Sequence, residues 1–367
     1  MYSSRLESLR EKMESLGLDA IMLTSEPNMY YLSGYSAISL ERLVSLLVFR
    51  ESENICLIVP KLEKDRAEEN CKIKDAEIFA YSDVEDPLDT LRGLLLRHHV
   101  KNFGVEGSAP YRFIHPLISG TLQMSIKLVD ELMYSLRIIK DEEEMKYLEA
   151  AAEINGKLMR DTIGQVRAGL SEKEVAAFVK ARALELGADD VAFILAQSGS
   201  NSALPHQEPT QRRINDGDIV LLDIGIRYMG YYSDITRTIT CGRPSPQQEK
   251  IFNIVYQAQS AGLATAMEGR KAGEVDDAAR GKISDARYGE YFIHRTGHGL
   301  GLEVHEPPYI KSGNYQELKK GMAFTVEPGI YLAGRYGVRL EDNVIIMPGG
   351  HTNLTRLPKS LLKEDYL

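Results

Sequence analysis

The apolar strand Ile219-Val-Leu-Leu-Asp-Ile-Gly-Ile226 carries one carboxylate, Asp223, at its middle, and the strand that follows it, Tyr232-Ser-Asp-Ile-Thr-Arg-Thr-Ile239, carries another, Asp234. A turn falls around Tyr228-Met229-Gly230, so the two strands read as a hairpin. If the hairpin is symmetric about that turn, Asp223 faces Asp234 directly, with Cβ atoms ~5 Å apart. Two carboxylates that close repel strongly unless a cation lies between them. The chain is thereby restricted to a fold that gathers acids around bound positive charge.

Three further residues extend the pattern toward the C-terminus. Glu327 and Glu341 lie on strands flanking the loop Leu332-Ala-Gly-Arg-Tyr-Gly337, where the same opposed geometry is expected. His298 stands in Thr296-Gly-His-Gly299, and the glycines on either side let the backbone approach closely and leave the ring open to a ligand. Singly, each residue has an ordinary structural explanation. Jointly, four carboxylates and one imidazole form an oxygen-rich donor set that favours Mn, Co, Fe or Mg over a closed structural zinc site. Charge balance argues for two divalent ions, since these match four carboxylates and leave a bridging hydroxide to be held between them. Ions roughly 3.5–4 Å apart lower the pKa of a shared water and stabilise the oxyanion of a tetrahedral intermediate. The expected chemistry is metal-assisted hydrolysis.

The rest of the chain sets limits on this. With 367 residues, two domains are the natural division. No run of ~18 apolar residues occurs, so no membrane span is expected. The first seventeen residues read as a charged amphipathic helix and not as a secretion signal. A net charge of −9 argues against a nucleic-acid surface. Three widely spaced cysteines, Cys56, Cys71 and Cys241, fit neither a disulfide framework nor a zinc cluster and suggest a reducing, cytoplasmic location.

Residues 1–130 alternate helix and strand, which predicts an α/β domain. Strands are expected near 19–24, 43–50, 54–60 and 76–81. Helices are expected near 2–17, 61–70 and 87–99, with a turn and short helix at 27–34. Residues 131–367 form the second domain, of α+β class. It shows a faint duplication, in which a long helix (141–166, and again about 246–267) precedes a helix–loop–strand segment (169–199 and 271–297) and then paired strands with two acids. Asp141 followed by three glutamates marks the first helix start, Ser171 and Glu174 a capping box, and Ser245 with Pro246 the start of the second long helix. Two similar halves facing each other bring the four acids to a central seam.

The stretches Asn201-Ser-Ala-Leu-Pro-His206, Phe292-Ile-His-Arg-Thr-Gly-His-Gly299, Leu302-Glu-Val-His-Glu306, Val326-Glu-Pro-Gly-Ile-Tyr331 and Val338-Arg-Leu-Glu-Asp342, with the hairpin above, resemble the pita-bread metallopeptidases. Within them the chain is similar to the proline dipeptidases (prolidases) of the creatinase/aminopeptidase P/prolidase branch, over nearly its whole length. The resemblance implies a pita-bread second domain with pseudo-twofold halves, preceded by the N-terminal domain typical of that branch. It implies two divalent metal ions per subunit, Mn or Co, with Asp223 chelating one, His298 and Glu327 the other, and Asp234 and Glu341 bridging both. It implies a homodimer and, as substrate, an Xaa-Pro dipeptide cut by a metal-bridging hydroxide. Catalytic roles are expected for His206 (proton shuttling or contact with the substrate carbonyl), His305 (contact with the scissile carbonyl or tetrahedral intermediate) and Glu327.

A dipeptidase must also recognise a free carboxylate. Arg295 and Arg339 are the candidates, each with the alternative of supporting a ligand carboxylate. His294 has a weaker case. The nearest rival function is an Xaa-Pro aminopeptidase acting on longer peptides. The non-enzymatic rival is a binding module on the same fold, which is disfavoured by the complete donor set and the acidic, compact chain.

Overall fold

Helix and strand alternate through the first part of the chain, and the structure, a computed structural model, describes residues 1–119 and 124–367. It divides into two units, Met1–Arg137 and Ile138–Leu367. The first contains α1 (Tyr2–Leu16), β1 (Ala20–Leu23), α2 (Glu26–Ser33), β2 (Ser45–Phe49), β3 (Ile55–Pro60), α3 (Lys64–Asn70), β4 (Glu77–Tyr81), α4 (Pro87–Arg97), β5 (Asn102–Val105), α5 (Tyr111–Ile118), β6 (Ser125–Leu128) and α6 (Asp130–Arg137). The strands form one mixed sheet in the order β4-β3-β2-β1-β5-β6. β1, β2 and β3 are buried along their whole length, as expected of the apolar runs that marked them. β5 and β6, four residues each, carried too short a pattern to be singled out.

The division falls seven residues beyond the expected boundary at 130/131, because α6 belongs to the first unit. Its Leu132, Met133 and Arg137 are buried, and Arg137 donates to Asn28 Oδ1 at 2.8 Å.

The second unit begins with α7 (Glu142–Gln165) and α8 (Glu172–Glu185). Asp141 caps α7 through the backbone N–H groups of Glu143 and Glu144, and Ser171 and Glu174 close a capping box on α8. A three-stranded antiparallel sheet follows, with β8 (Ile219–Tyr228) between β7 (Asp190–Ser198) and β9 (Tyr231–Thr240). The second half repeats two helices, α9 (Pro246–Thr265) and α10 (Ala272–Asp285), and then strands β10 (Gly297–Gly299), β11 (Glu306–Ile310), β12 (Ala323–Val326), β13 (Gly329–Leu332), β14 (Tyr336–Arg339), β15 (Asp342–Met347) and β16 (Gly350–Asn353). Its main sheet has the order β11-β10-β12-β15-β16, and β13 and β14 form a separate hairpin. Each half buries its helices against its own sheet. Leu158, Met159 and Val179 pack on Leu222, Ile224 and Ile235 in the first, and Val275 packs with Phe324, Val326 and Val344 in the second.

The hairpin register departs from the symmetric expectation. Met229 and Gly230 both have positive φ, 49° and 82°, and form a two-residue turn closed by the pair Tyr228 and Tyr231. Asp223 therefore faces Thr236, and Asp234 faces Gly225. The slip is an even number of residues, so both acids stay on one face, as diagonal instead of direct neighbours.

Behind that face, Arg237 and Asp342 form a fully buried ion pair at 2.8 Å. Arg237 also donates to the backbone oxygens of Glu341, Leu357 and Pro358, which fastens the C-terminal segment to β9. Asp342 is completed by Lys359 at 2.6 Å and Asn353 at 2.9 Å. No helix among the described residues is long and apolar enough to cross a membrane, and none of the three cysteines is in a disulfide. Replacing Arg237 with Met leaves Asp342 with one cationic partner in a dry setting. It is expected to cost ~3–5 kcal/mol of stability, measured by urea unfolding of the metal-free chain; a loss below about 1 kcal/mol would mean Lys359 alone suffices.

Candidate metal centre

Asp223 and Asp234 project from adjacent strands of one half of the second unit, and Glu327 and Glu341 from the other. β12 pairs with β15 so that Val326 faces Asp342, and β13 pairs with β14 so that Gly329 faces Arg339. Both ladders share one register, and Glu327 and Glu341 are the opposed residues at the break between them. His298 is on β10, next to β12. Its flanking glycines serve packing, not exposure. A Cβ on Gly297 would collide with the Thr325 carbonyl oxygen, and one on Gly299 with that of Pro307. His298 is only 3% exposed to solvent, yet its ring lines the cleft.

The nine residues singled out in the sequence, Asp223, Asp234, His298, Glu327, Glu341, His206, His305, Arg295 and Arg339, all line one cleft of about 790 Å³. Ligand atoms of Asp234, His298 and Glu341 lie within 4.8 Å of one another. His298 Nε2 is 3.3 Å from Glu327 Oε1 and 3.7 Å from Asp234 Oδ2. Its Nδ1 donates to the Gly299 carbonyl at 3.1 Å, which directs the lone pair of Nε2 into the cluster. Burial, reinforced by His305, holds this imidazole well below its usual pKa and so neutral, the form that binds metal.

Burial first, and then the neighbouring carboxylates, push Asp234 and Glu341 well above the usual carboxylate range. Burial likewise lifts Glu327 to about 7, although Arg339 opposes the rise. Three buried carboxylate oxygens, Asp223 Oδ1, Asp234 Oδ1 and Glu341 Oε1, meet no hydrogen-bond donor. Buried acceptors are seldom left so. Three in one cluster, next to a neutral imidazole with its lone pair inward, fit divalent cations.

Around this cluster the remaining donors are committed. Arg339 is buried and donates to Asp223 Oδ2 at 2.5 Å, to Tyr331 Oη at 2.7 Å and to Thr236 Oγ1 at 3.2 Å. Tyr331 Oη is also 2.8 Å from His294 Nε2. Because His294 Nδ1 donates to the Arg295 carbonyl at 2.7 Å, Nε2 is the acceptor and the tyrosine hydroxyl the donor. Burial and Arg339 drive the His294 pKa down to about 3, keeping it neutral. His294 is thus tied to the ligand shell through Tyr331, a residue the sequence reading passed over. Arg295 instead lies over the Tyr309 ring at 4.5 Å. His305 sets its ring edge-on to His298, with centroids 4.1 Å apart, and burial followed by Arg295 lowers its pKa. His206 is exposed on the loop after β7, whose side chain Gln197 donates to the Leu204 and Gln207 carbonyls at 3.0 and 2.9 Å. Ala192, Phe193, Ile194, Leu195, Pro205 and Pro209 supply an apolar wall.

Comparison with known proteins identifies the family of both units. Residues 146–348 match Metallopeptidase family M24, and residues 5–139 match the Creatinase/Prolidase N-terminal domain. The chain is 37% identical to the Xaa-Pro dipeptidase of Pyrococcus horikoshii over 99% of both chains. Among solved structures, a prolidase from Thermococcus sibiricus superposes with a TM-score of 0.93 at 37% identity, covering 98% of each chain. An X-Pro aminopeptidase from Thermotoga maritima superposes with a TM-score of 0.88 at 31% identity, covering 97% of this chain and 99% of that one.

The raised acids couple stability to pH. Below the ordinary carboxylate values the protonated forms suit the buried cluster. As pH rises through the folded-state values, near 7 for Glu327, that contribution is lost, because the metal-free folded state must ionise where the unfolded chain has already done so. The rise in melting temperature on adding Mn²⁺ to metal-free protein is therefore expected to be larger at about pH 8 than at about pH 5, as measured by scanning calorimetry. An equal rise at both would contradict it.

Proposed function

We propose substrate and mechanism from one premise, that the chain belongs to metallopeptidase family M24: it hydrolyses the bond before proline in Xaa-Pro dipeptides, using two divalent cations, Mn or Co. The observation that carries the reading is the cluster of buried carboxylate oxygens without donors beside a neutral, inward-facing imidazole. Asp223 would hold one ion, His298 and Glu327 the other, with Asp234 and Glu341 shared. When bound, the ions would supply a water of lowered pKa and stabilise the charge that develops on the carbonyl oxygen.

The chain's own groups do the rest. Glu327, whose carboxyl lies at the edge of the cluster against His298, is placed to take a proton from the attacking water. His305, beside His298 on the open side of the cleft, is placed to hold the scissile carbonyl, and His206 to deliver a proton to the departing nitrogen. The proline nitrogen, like any amide nitrogen, leaves as an amine only if it gains a proton as the bond breaks. Arg339 already has three protein acceptors, which supports a role in holding Asp223 and Tyr331 in place. Arg295 is then the guanidinium for the substrate carboxylate. The Tyr309 ring, 4.5 Å from the Arg295 guanidinium carbon, supports it for such a contact. The apolar wall of Phe193, Leu195 and Pro209 suits the side chains of such a substrate. Similarity to the Xaa-Pro dipeptidase of Pyrococcus horikoshii supports this choice.

Glu327→Gln is expected to lower kcat by about a hundredfold or more in protein that still folds; full activity would remove Glu327 from the mechanism. Metal-free protein reconstituted with Mn²⁺ or Co²⁺ is expected to cleave an Xaa-Pro dipeptide faster than an Xaa-Pro-Xaa tripeptide, as measured by chromatographic detection of the free N-terminal residue that both substrates release. Preference for the tripeptide would move the reading to an aminopeptidase.

A further inference from the structure

Asp234 lies on β9, and Glu341 stands immediately before β15, a strand of a different sheet. No backbone ladder joins β9 to β15; a single backbone bond and a set of side-chain bonds link the two acids' segments instead. Asn343 stands two residues beyond Glu341, and Thr236 two residues beyond Asp234. The Asn343 side chain is fully buried. Its Oδ1 accepts the Asp234 N–H at 3.1 Å and the Ser233 hydroxyl at 3.1 Å, while its Nδ2 donates to the Asp234 carbonyl. An amide that pairs with both the N–H and the C=O of one residue does the work of a neighbouring strand's peptide. In the other direction, Thr236 Oγ1 donates to Glu341 Oε2 at 2.7 Å, and the Thr236 carbonyl accepts the Glu341 N–H at 3.1 Å. Each strand thus grips the acid of the other, from the same offset in sequence.

The oxygens left over are Asp234 Oδ1 and Glu341 Oε1, both buried and both without a donor. The grip leaves them available. Without it, the mutual repulsion of the two acids would drive the strands apart whenever no cation is bound, and each binding event would have to close them again.

We propose that Asn343 and Thr236 are paired positioning residues, a reciprocal clamp that fixes the separation of Asp234 and Glu341 and so sets how tightly the cluster holds divalent cations. This rests on the metal reading given above. A purely structural role for the two residues would alter folding stability and leave the affinity of the folded protein for metal unchanged.

The test is calorimetric titration of metal-free protein with Co²⁺, alongside its thermal unfolding. Thr236→Val keeps the shape and removes the hydroxyl, and Thr236→Ser restores the hydroxyl. Thr236→Val is expected to weaken Co²⁺ binding about ten- to hundredfold, with Thr236→Ser close to the unaltered chain. Asn343→Ser is expected to weaken it over the same range, and the double variant to lose less than the product of the single losses, because both act on one separation. Folded Thr236→Val protein that binds Co²⁺ as tightly as the unaltered chain would overturn the clamp, as would full independence of the two sites. Should Asn343→Ser fail to fold, the valine and serine variants at position 236 decide alone. Absence of Co²⁺ binding by the unaltered chain would instead remove the metal reading and the clamp with it.

Discussion

Electrostatic repulsion among buried carboxylates is the constraint around which the second unit is organised. Asp223, Asp234, Glu327 and Glu341 converge on one cleft, where burial and the neighbouring carboxylates raise the cost of ionising Asp234 and Glu341. In low dielectric such a cluster is unfavourable unless protonated or neutralised by cations. Its persistence across two halves of the fold means that other interactions oppose the repulsion. Those interactions are visible: Arg339 on Asp223, Thr236 on Glu341, Asn343 on the Asp234 backbone, Thr325 on Glu327.

The strands that carry the acids are pinned on both faces. On the cleft side, the hydroxyl and amide contacts join β9 to β15. On the opposite side, Arg237 and Asp342, each adjacent in sequence to a member of that network, form a buried pair that reaches to the C-terminal segment. A side chain pointing into the cleft and its neighbour pointing away therefore belong to one arrangement, as the alternation of a β-strand requires. Rigid support of this kind lets a cluster select cations by donor type and spacing instead of by collapse around whichever ion arrives.

Much of this was legible in the sequence, for a physical reason. Acids in apolar surroundings are so costly that their presence announces a purpose, and four such residues stood out, together with His298. The opposed placement of Glu327 and Glu341 also follows from symmetric pairing about their loop. The register of the first hairpin was less legible. It depends on Met229 adopting a left-handed conformation that its side chain does not advertise, and only the parity of the slip kept both acids on one face. Thr236 and Asn343 were hidden because they look like ordinary strand residues. Their partners lie 105 and 109 positions away, and nothing local marks them. Arg295 and Arg339 could not be separated by type. In the fold, three tertiary acceptors surround Arg339, while Arg295 lies over an aromatic ring. The late end of the first unit has the same origin, since α6 is assigned by what it packs against.

The central claim is that the five side chains hold two cations between the halves of this unit. Anomalous diffraction from crystals of the full chain grown with Mn²⁺ addresses it without reference to substrate. Two anomalous peaks, roughly 3.5–4 Å apart and within bonding distance of Asp223, Asp234, His298, Glu327 and Glu341, are the predicted result. Peaks confined to other parts of the chain, or none at saturating Mn²⁺, would contradict the account.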